Sequence, residues 1–136
     1  ISELILSTVR RYENKNISLH QTKNNFFIGR KNLIQRCLNN LIDNALKYGQ
    51  NVKIKQEKLK KSLLIFIEDD GPGIHFSEYE NVFKPFYKID KSRSDSKSSV
   101  GLGLSIASDI IRSHGGNIEL KKSNLGGLKI KISLPV

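Results

Sequence analysis

The chain has 136 residues, 38 % of them apolar, with 23 Lys and Arg against 13 Asp and Glu and a formal net charge of +10 at pH 7. That length suits a single domain with a real core, and no run of about eighteen apolar residues is present to span a membrane. No signal-peptide pattern opens the sequence, and a first residue of Ile1 in a chain without methionine reads as a piece cut from a longer protein.

Apolar residues at 1, 4, 5, 9 and 12 predict a short amphipathic helix over Ile1 to Tyr12. Ile17 to His20 and Phe26 to Ile28 are short strand candidates among Asn and Lys. From about Lys31 to Tyr48, an apolar stripe of Leu33 or Ile34, Cys37, Leu38, Leu41, Ile42, Ala45 and Leu46 predicts a helix, stopped by Gly49. On that stripe Cys37 reads as a small buried hydrophobe, not a redox or metal residue. Asn40, Asn44, Lys47 and Tyr48 fall on a second face of the same helix. Two amides, a cation and a phenol there are costly unless something pairs with them. An amide oxygen is a hard ligand for Mg²⁺, a lysine suits phosphate and a tyrosine can lie against a base. The set has the chemistry of a nucleotide site; a polar face turned to water is the plain alternative.

Val52 to Glu57 and Leu63 to Glu68 read as two strands joined by a lysine-rich turn. The alternation Val52-Lys53-Ile54-Lys55 suggests an edge hairpin with a solvated face. The nearly continuous apolar run Leu63 to Ile67 suggests a central strand buried on both sides. Ser77 to Phe83 reads as a short helix with Ser77 as N-cap and Glu80 at its third position. Tyr87 to Ser99 is polar and reads as a mobile loop. A second long helix runs from Gly101 or Leu102 to His114, burying Ile106, Ala107, Ile110 and Ile111, and Gly115-Gly116 ends it. Asn117 to Lys122 and Leu128 to Leu134 are strands around the turn Asn124 to Gly127. Helices and strands in mixed order, without strict alternation, predict a two-layer α/β sandwich: a mixed sheet of about five strands with about three helices on one face.

The positive charge raises nucleic-acid binding, but the aromatics are not interleaved with basic residues as stacking platforms would be. Lys, Ile and Asn are abundant together, which reads as compositional bias. Glu68-Asp69-Asp70-Gly71-Pro72-Gly73-Ile74 follows the apolar run and places a carboxylate at a pocket rim, beside glycines that let a flat base approach. A carboxylate there can accept a hydrogen bond from the exocyclic amine of adenine; taken alone, the stretch is ordinary turn chemistry. Gly101-Leu102-Gly103-Leu104 opens a helix, where free N–H groups and the helix dipole favour phosphate. No Gly-Lys-Ser/Thr follows and no strand feeds it, so it is neither a P-loop nor a dinucleotide fingerprint. Lys88, Lys91, Arg93 and Lys97 precede it and could close onto phosphates.

Asn40, Asn44-Ala45 and Lys47-Tyr48, then Asp69-x-Gly71-x-Gly73, Phe83-x-Pro85-Phe86, Gly101-x-Gly103-Leu104 and Gly126-Gly127 stand in a particular order. It resembles that of the catalytic ATP-binding domain of sensor histidine kinases, in the superfamily shared with gyrase and heat-shock-chaperone ATPases. The likeness covers nearly the whole chain, and the Glu68 to Ile74 stretch with its short lid is most similar to the osmosensor type. It implies a Bergerat-type fold over residues 1–136, with ATP and Mg²⁺ as cofactors. By that resemblance Asn44 chelates the metal with Asn40 in support, Lys47 reaches phosphate and Tyr48 packs on adenine. Asp69 binds the adenine amine, and Gly71, Gly73 and Ile74 shape the turn. Phe83, Phe86 and Tyr87 anchor the lid. Gly101, Leu102, Gly103 and Leu104 meet the phosphates, and Lys88 or Arg93 closes over them.

Two departures stand out. Ser99 occupies a position where the family usually has glycine. His20, His75 and His114 lack the residues that follow a phosphoacceptor histidine, and read as surface or turn histidines. The resemblance therefore implies a histidine-bearing dimerisation domain before Ile1, a downstream response regulator, and a membrane-bound homodimeric bacterial parent whose cytoplasmic part includes this fragment, itself monomeric. The hydrolytic relatives carry a glutamate base four residues before the metal-binding Asn; here that residue is Asn40. An amide cannot take a proton from water, which favours phosphotransfer over hydrolysis. The rival readings are a degenerate ATP-binding module and a basic nucleic-acid-binding domain.

Overall fold

Alternation of apolar and polar residues builds a sheet with one buried face, and three amphipathic helices cover that face. The computed structural model describes residues 1–12, 16–21, 27–85 and 103–136. Expectations for Phe26, Phe86, Tyr87, Lys88, Arg93, Gly101, Leu102 and the loop Tyr87 to Ser99 lie outside those residues. The elements are α1 (Ser2–Arg10), β1 (Asn16–Gln21), α2 (Lys31–Tyr48), β2 (Asn51–Lys58), β3 (Ser62–Asp69), α3 (Gly103–Ser113), β4 (Asn117–Lys122) and β5 (Leu128–Pro135). The strands lie in the order β1-β2-β3-β5-β4. β1 runs parallel to β2 and the other pairs are antiparallel, so the sheet is mixed. The expected two-layer α/β sandwich forms.

One apolar cluster joins the layers. Ile54, Ile65, Ile67 and Ile132 of the sheet meet Ile5 of α1, Leu38, Leu41 and Ile42 of α2, and Ala107 and Ile111 of α3. Cys37 sits at the α2–α3 seam with Sγ 3.8 Å from the Ala107 carbonyl, and burial pushes its thiol up to about 12. Polar contacts fix α1 to α2: the Tyr12 hydroxyl donates to Asp43 at 2.7 Å, and Gln35 Nε2 donates to Thr8 Oγ1 at 2.7 Å.

The N-terminus of α2 has no side-chain cap from Arg30. His114 supplies the acceptor instead. Its Nε2 accepts from the Arg30 N–H at 3.0 Å, and its Nδ1 lies 2.8 Å from the Ile110 carbonyl. A carbonyl only accepts, so Nδ1 carries the proton and the ring is neutral in this arrangement. Thus His114 joins the end of α3 to the start of α2 and is more than a surface histidine. Past it, Gly115 takes a positive φ of 77° while the Gly116 N–H returns to the Ile111 carbonyl at 2.9 Å, the glycine stop expected there.

Several local expectations change. β2 is interior, between β1 and β3, not an edge strand; its lysine alternation reflects one uncovered face of the sheet. β3 is central, yet Leu64 and Phe66 are only half-buried, because among the described residues no layer covers that face. Phe27 and Ile28 are not strand, and Ile28 is exposed. The predicted helix after Ser77 is two 3₁₀ turns, Phe76–Glu78 and Asn81–Phe83. The cap there is His75, whose Nδ1 accepts from the Ser77 N–H at 3.2 Å. Gly49 does end α2, but with φ −114°, in extended and not left-handed backbone.

Candidate functional site

Three backbone segments converge at the end of β3: the exit of α2, the turn after β3 and the turn between β4 and β5. Asp69 is the last residue of β3 and only 5 % exposed. Its Oδ1 accepts from the Gly71 N–H at 2.9 Å and the Leu128 N–H at 3.3 Å. Among the described residues, Oδ2 has no hydrogen-bond partner. Burial raises the carboxyl above the usual range; the two N–H bonds only partly offset this, and neighbouring Asp70 adds to it.

Glycine makes this convergence possible. A Cβ on Gly127 would collide with Oδ1 and the carbonyl oxygen of Asp69, and one on Gly71 would lie 2.5 Å from the Tyr48 carbonyl oxygen. Tyr48, Asp69, Gly71 and Gly127 are therefore brought together, and Gly73, at φ 73°, packs on the backbone of Gly126 and Gly127. Asp70 locks the α2–β2 connection. Its Oδ1 accepts from the N–H groups of Asn51 at 3.0 Å and Gln50 at 2.8 Å, and its Oδ2 from Asn51 Nδ2 at 2.8 Å. The bonds from Asn51 hold its carboxyl below the usual range.

Asn40 and Asn44 are half-buried on α2, and neither amide side chain has a hydrogen-bond partner among the described residues. Lys47 is half-buried with Nζ 5.5 Å from the centroid of the Tyr48 ring, and Tyr48 is 44 % exposed. Ile74, Phe83 and Leu104 are half-buried against the core. Gly103 opens α3 with nothing within 4 Å of where a Cβ would stand, and α3 packs on the second 3₁₀ turn. Asp70, Asn51 and Leu128, which hold Asp69 and its neighbours in place, were not among the expected site residues. The doubled aspartate was their one local signal. Leu128 acts through its N–H, which no side-chain pattern reveals.

A separate cleft of about 480 Å³ lies between α1 and the start of α2, lined by residues such as Leu4, Phe27, Lys31 and Ile34. It contains none of the predicted site residues, and its chemistry is one exposed acid, one base and an apolar wall. The convergence at Asp69 holds the distinctive chemistry. No group of three His, Cys, Asp or Glu side chains suited to a metal occurs among the described residues. A hard cation here would have to rely on amide oxygens and on ligands brought by a substrate.

Residues 29–136 match the family described as histidine kinase-, DNA gyrase B- and HSP90-like ATPases, and the chain belongs to that family. It is 36 % identical over 107 residues to the sensor histidine kinase GtrS of Pseudomonas aeruginosa, covering 79 % of this chain and 22 % of that protein. It is 35 % identical over 109 residues to the sensor histidine kinase CpxA of Escherichia coli, covering 79 % and 24 % respectively. The chain thus matches less than a quarter of the length of these two curated relatives. Among solved structures, a mycobacterial sensor histidine kinase, MprB, superposes with a TM-score of 0.84 at 26 % identity, over 98 % of this chain and 93 % of that one. The nucleotide-free catalytic domain of histidine kinase ThkA gives 0.83 at 25 % identity, over 98 % and 92 %.

Proposed function

We propose that residues 1–136 form the catalytic domain of a sensor histidine kinase, which binds ATP with Mg²⁺ and presents its γ-phosphoryl group to a histidine on a separate helical dimerisation domain. The observation that carries this reading is Asp69. Two backbone N–H groups orient its carboxylate at a glycine-lined convergence, with Oδ2 left to accept from an exocyclic amine, in a chain of this ATPase family. Adenine carries its exocyclic amine at C6, where guanine has a carbonyl oxygen that offers a carboxylate no donor. Tyr48, Gly71, Gly73, Ile74, Phe83 and Leu104 would bound the base, and Lys47 would reach phosphate.

The half-buried amides of Asn40 and Asn44 fit a hard cation that keeps water and phosphate oxygens as its other ligands. Asn44 would be its protein ligand, and the ion's charge would offset that of the triphosphate. Gly103, with Gly101 and Leu102 before it, would offer N–H groups to phosphate, while Phe86, Tyr87, Lys88 and Arg93 would cover the nucleotide. In the transfer an imidazole nitrogen bonds to the γ-phosphorus as the bond to the bridging oxygen breaks, and ADP leaves. Such a transition state is loose, so the domain contributes position and charge. Asn40 offers no base to water, which protects the phosphoryl group from hydrolysis.

The partners on this reading are the histidine-bearing domain of the same polypeptide and a response regulator, in a membrane-bound homodimer whose cytoplasmic side holds this domain. The domain itself is a monomer and has no nucleic-acid role at the nucleotide site. Calorimetric titration with ATP, with and without Mg²⁺ and with GTP as control, tests the site. Selective, Mg²⁺-dependent ATP binding is expected, followed by acid-labile phosphohistidine once the helical domain is supplied. Absence of ATP binding overturns the reading; tight binding without transfer to that domain leaves a degenerate module.

A further inference from the structure

The uncovered face of the sheet carries a field of lysines. Along β2, β4 and β5 the core-facing residues alternate with Lys53, Lys55, Lys121, Lys129 and Lys131, so these five share the side opposite the helices. Strand register aligns them into two rows. In one, Lys53 and Lys129 flank Glu68 of β3, with Lys121 beside Lys129. In the other, Lys55 and Lys131 flank Phe66, with Glu119 beside Lys131. Neighbouring strands are about 4.8 Å apart, so the five ammonium groups crowd one surface.

Among the described residues, little neutralises them. Glu68 is buried and its Oε1 accepts from the Ser123 hydroxyl at 2.9 Å. Lys55 and Glu57, at 3.9 Å, form the one ion pair among the described residues. Phe66 lies within the field between Lys55 and Lys131, and Leu64 borders it between Glu57 and Ser133; both are half-buried, with Lys129 Nζ 4.8 Å from the Phe66 ring centroid.

We propose that this face docks an acidic protein surface, one that sets several Asp or Glu carboxylates around an apolar side chain seated on Leu64 and Phe66. An apolar centre within a charged rim is the anatomy of a protein interface, and the lysines supply the electrostatic complement. Glu57 and Glu119 within the field would oppose a uniformly anionic bilayer or phosphate backbone. A protein can set a base against each of them. Because Asn40 and Asn44 lie on α2, across the sheet, docking leaves the proposed nucleotide site open.

The test uses the intact chain and three probes: a fluorescent glutamate-rich peptide with a central leucine, vesicles of phosphatidylserine and phosphatidylcholine, and a DNA duplex. The face variant carries Lys53→Gln, Lys55→Gln, Lys129→Gln and Lys131→Gln. A control of equal charge carries Lys31→Gln, Lys58→Gln, Lys60→Gln and Lys61→Gln. The face variant should weaken peptide binding by roughly tenfold or more, and the control by less than about threefold. Both should keep the wild-type melting temperature and ATP affinity. Phe66→Ala, which leaves the charge unchanged, should also weaken the peptide. Equal losses in the two lysine variants would show net charge alone and overturn the proposal. So would absence of peptide binding, or face-dependent binding of vesicles or DNA without the peptide.

Discussion

Asp69 and Asp70 are adjacent carboxylates with opposite relations to the fold. Burial raises the folded-state value of Asp69 above the ordinary 3.8, so the folded state binds its proton more tightly than the unfolded chain does. Its contribution to stability is therefore best below 3.8 and declines as pH rises through the folded value. Asp70 is shifted down by Asn51, so its contribution is present above 3.8 and lost as pH falls through its folded value. Asp69→Asn keeps an oxygen for Gly71 and Leu128 and removes the buried charge. Thermal melts from pH 4 to 7 should show the variant gaining on wild type as pH rises, while its preference for ATP over GTP disappears. Asn44→Ala should leave the melting temperature within a few degrees and lower Mg²⁺-dependent ATP affinity by about tenfold or more in calorimetry. Gly127→Ala drives a methyl group into Asp69; it should cost about 1–3 kcal/mol in denaturant unfolding and weaken ATP binding as well.

At the scale of elements, α2 serves both halves of the molecule. Its apolar stripe makes the core and its other face carries Asn40 and Asn44, so anything that shifts the helix shifts the site. His114 holds the start of α2 from the end of α3. Its removal should resemble the loss of an N-cap, about 0.5–2 kcal/mol, so His114→Ala is expected to lower the urea midpoint at constant slope. Amides in the first turn of α2 should exchange faster in the variant, while those of β3 and β5 change little. The 3₁₀ turns and the Asp70 clasp belong to the same scale: short segments whose geometry is set by what they join.

For the whole molecule, stability rests on the single cluster between sheet and helices. Leu41 is fully buried within it, and Leu41→Ala should cost about 2–5 kcal/mol, a large part of the 5–15 kcal/mol usual for a domain. Chemical denaturation read by both fluorescence and circular dichroism should show one shifted transition, since both layers share that core. The local pattern of apolar residues was enough to read α2, α3, all five strands and their sandwich, with one strand too many expected at Phe26 to Ile28, because burial against one layer imposes that pattern directly. The Asp-x-Gly-x-Gly turn and the two amides were legible for a similar reason: their chemistry is carried by residue type at short spacing. Other features were not legible. The interior position of β2, the neutral His114 bridge, the hold of Gly127 and Leu128 on Asp69, and the gathering of Lys53, Lys55, Lys121, Lys129 and Lys131 onto one face all depend on which strands become neighbours. Local sequence fixes the faces of a strand through its two-residue repeat, but its neighbours are chosen by the packing of the whole chain, and only the tertiary structure decided them.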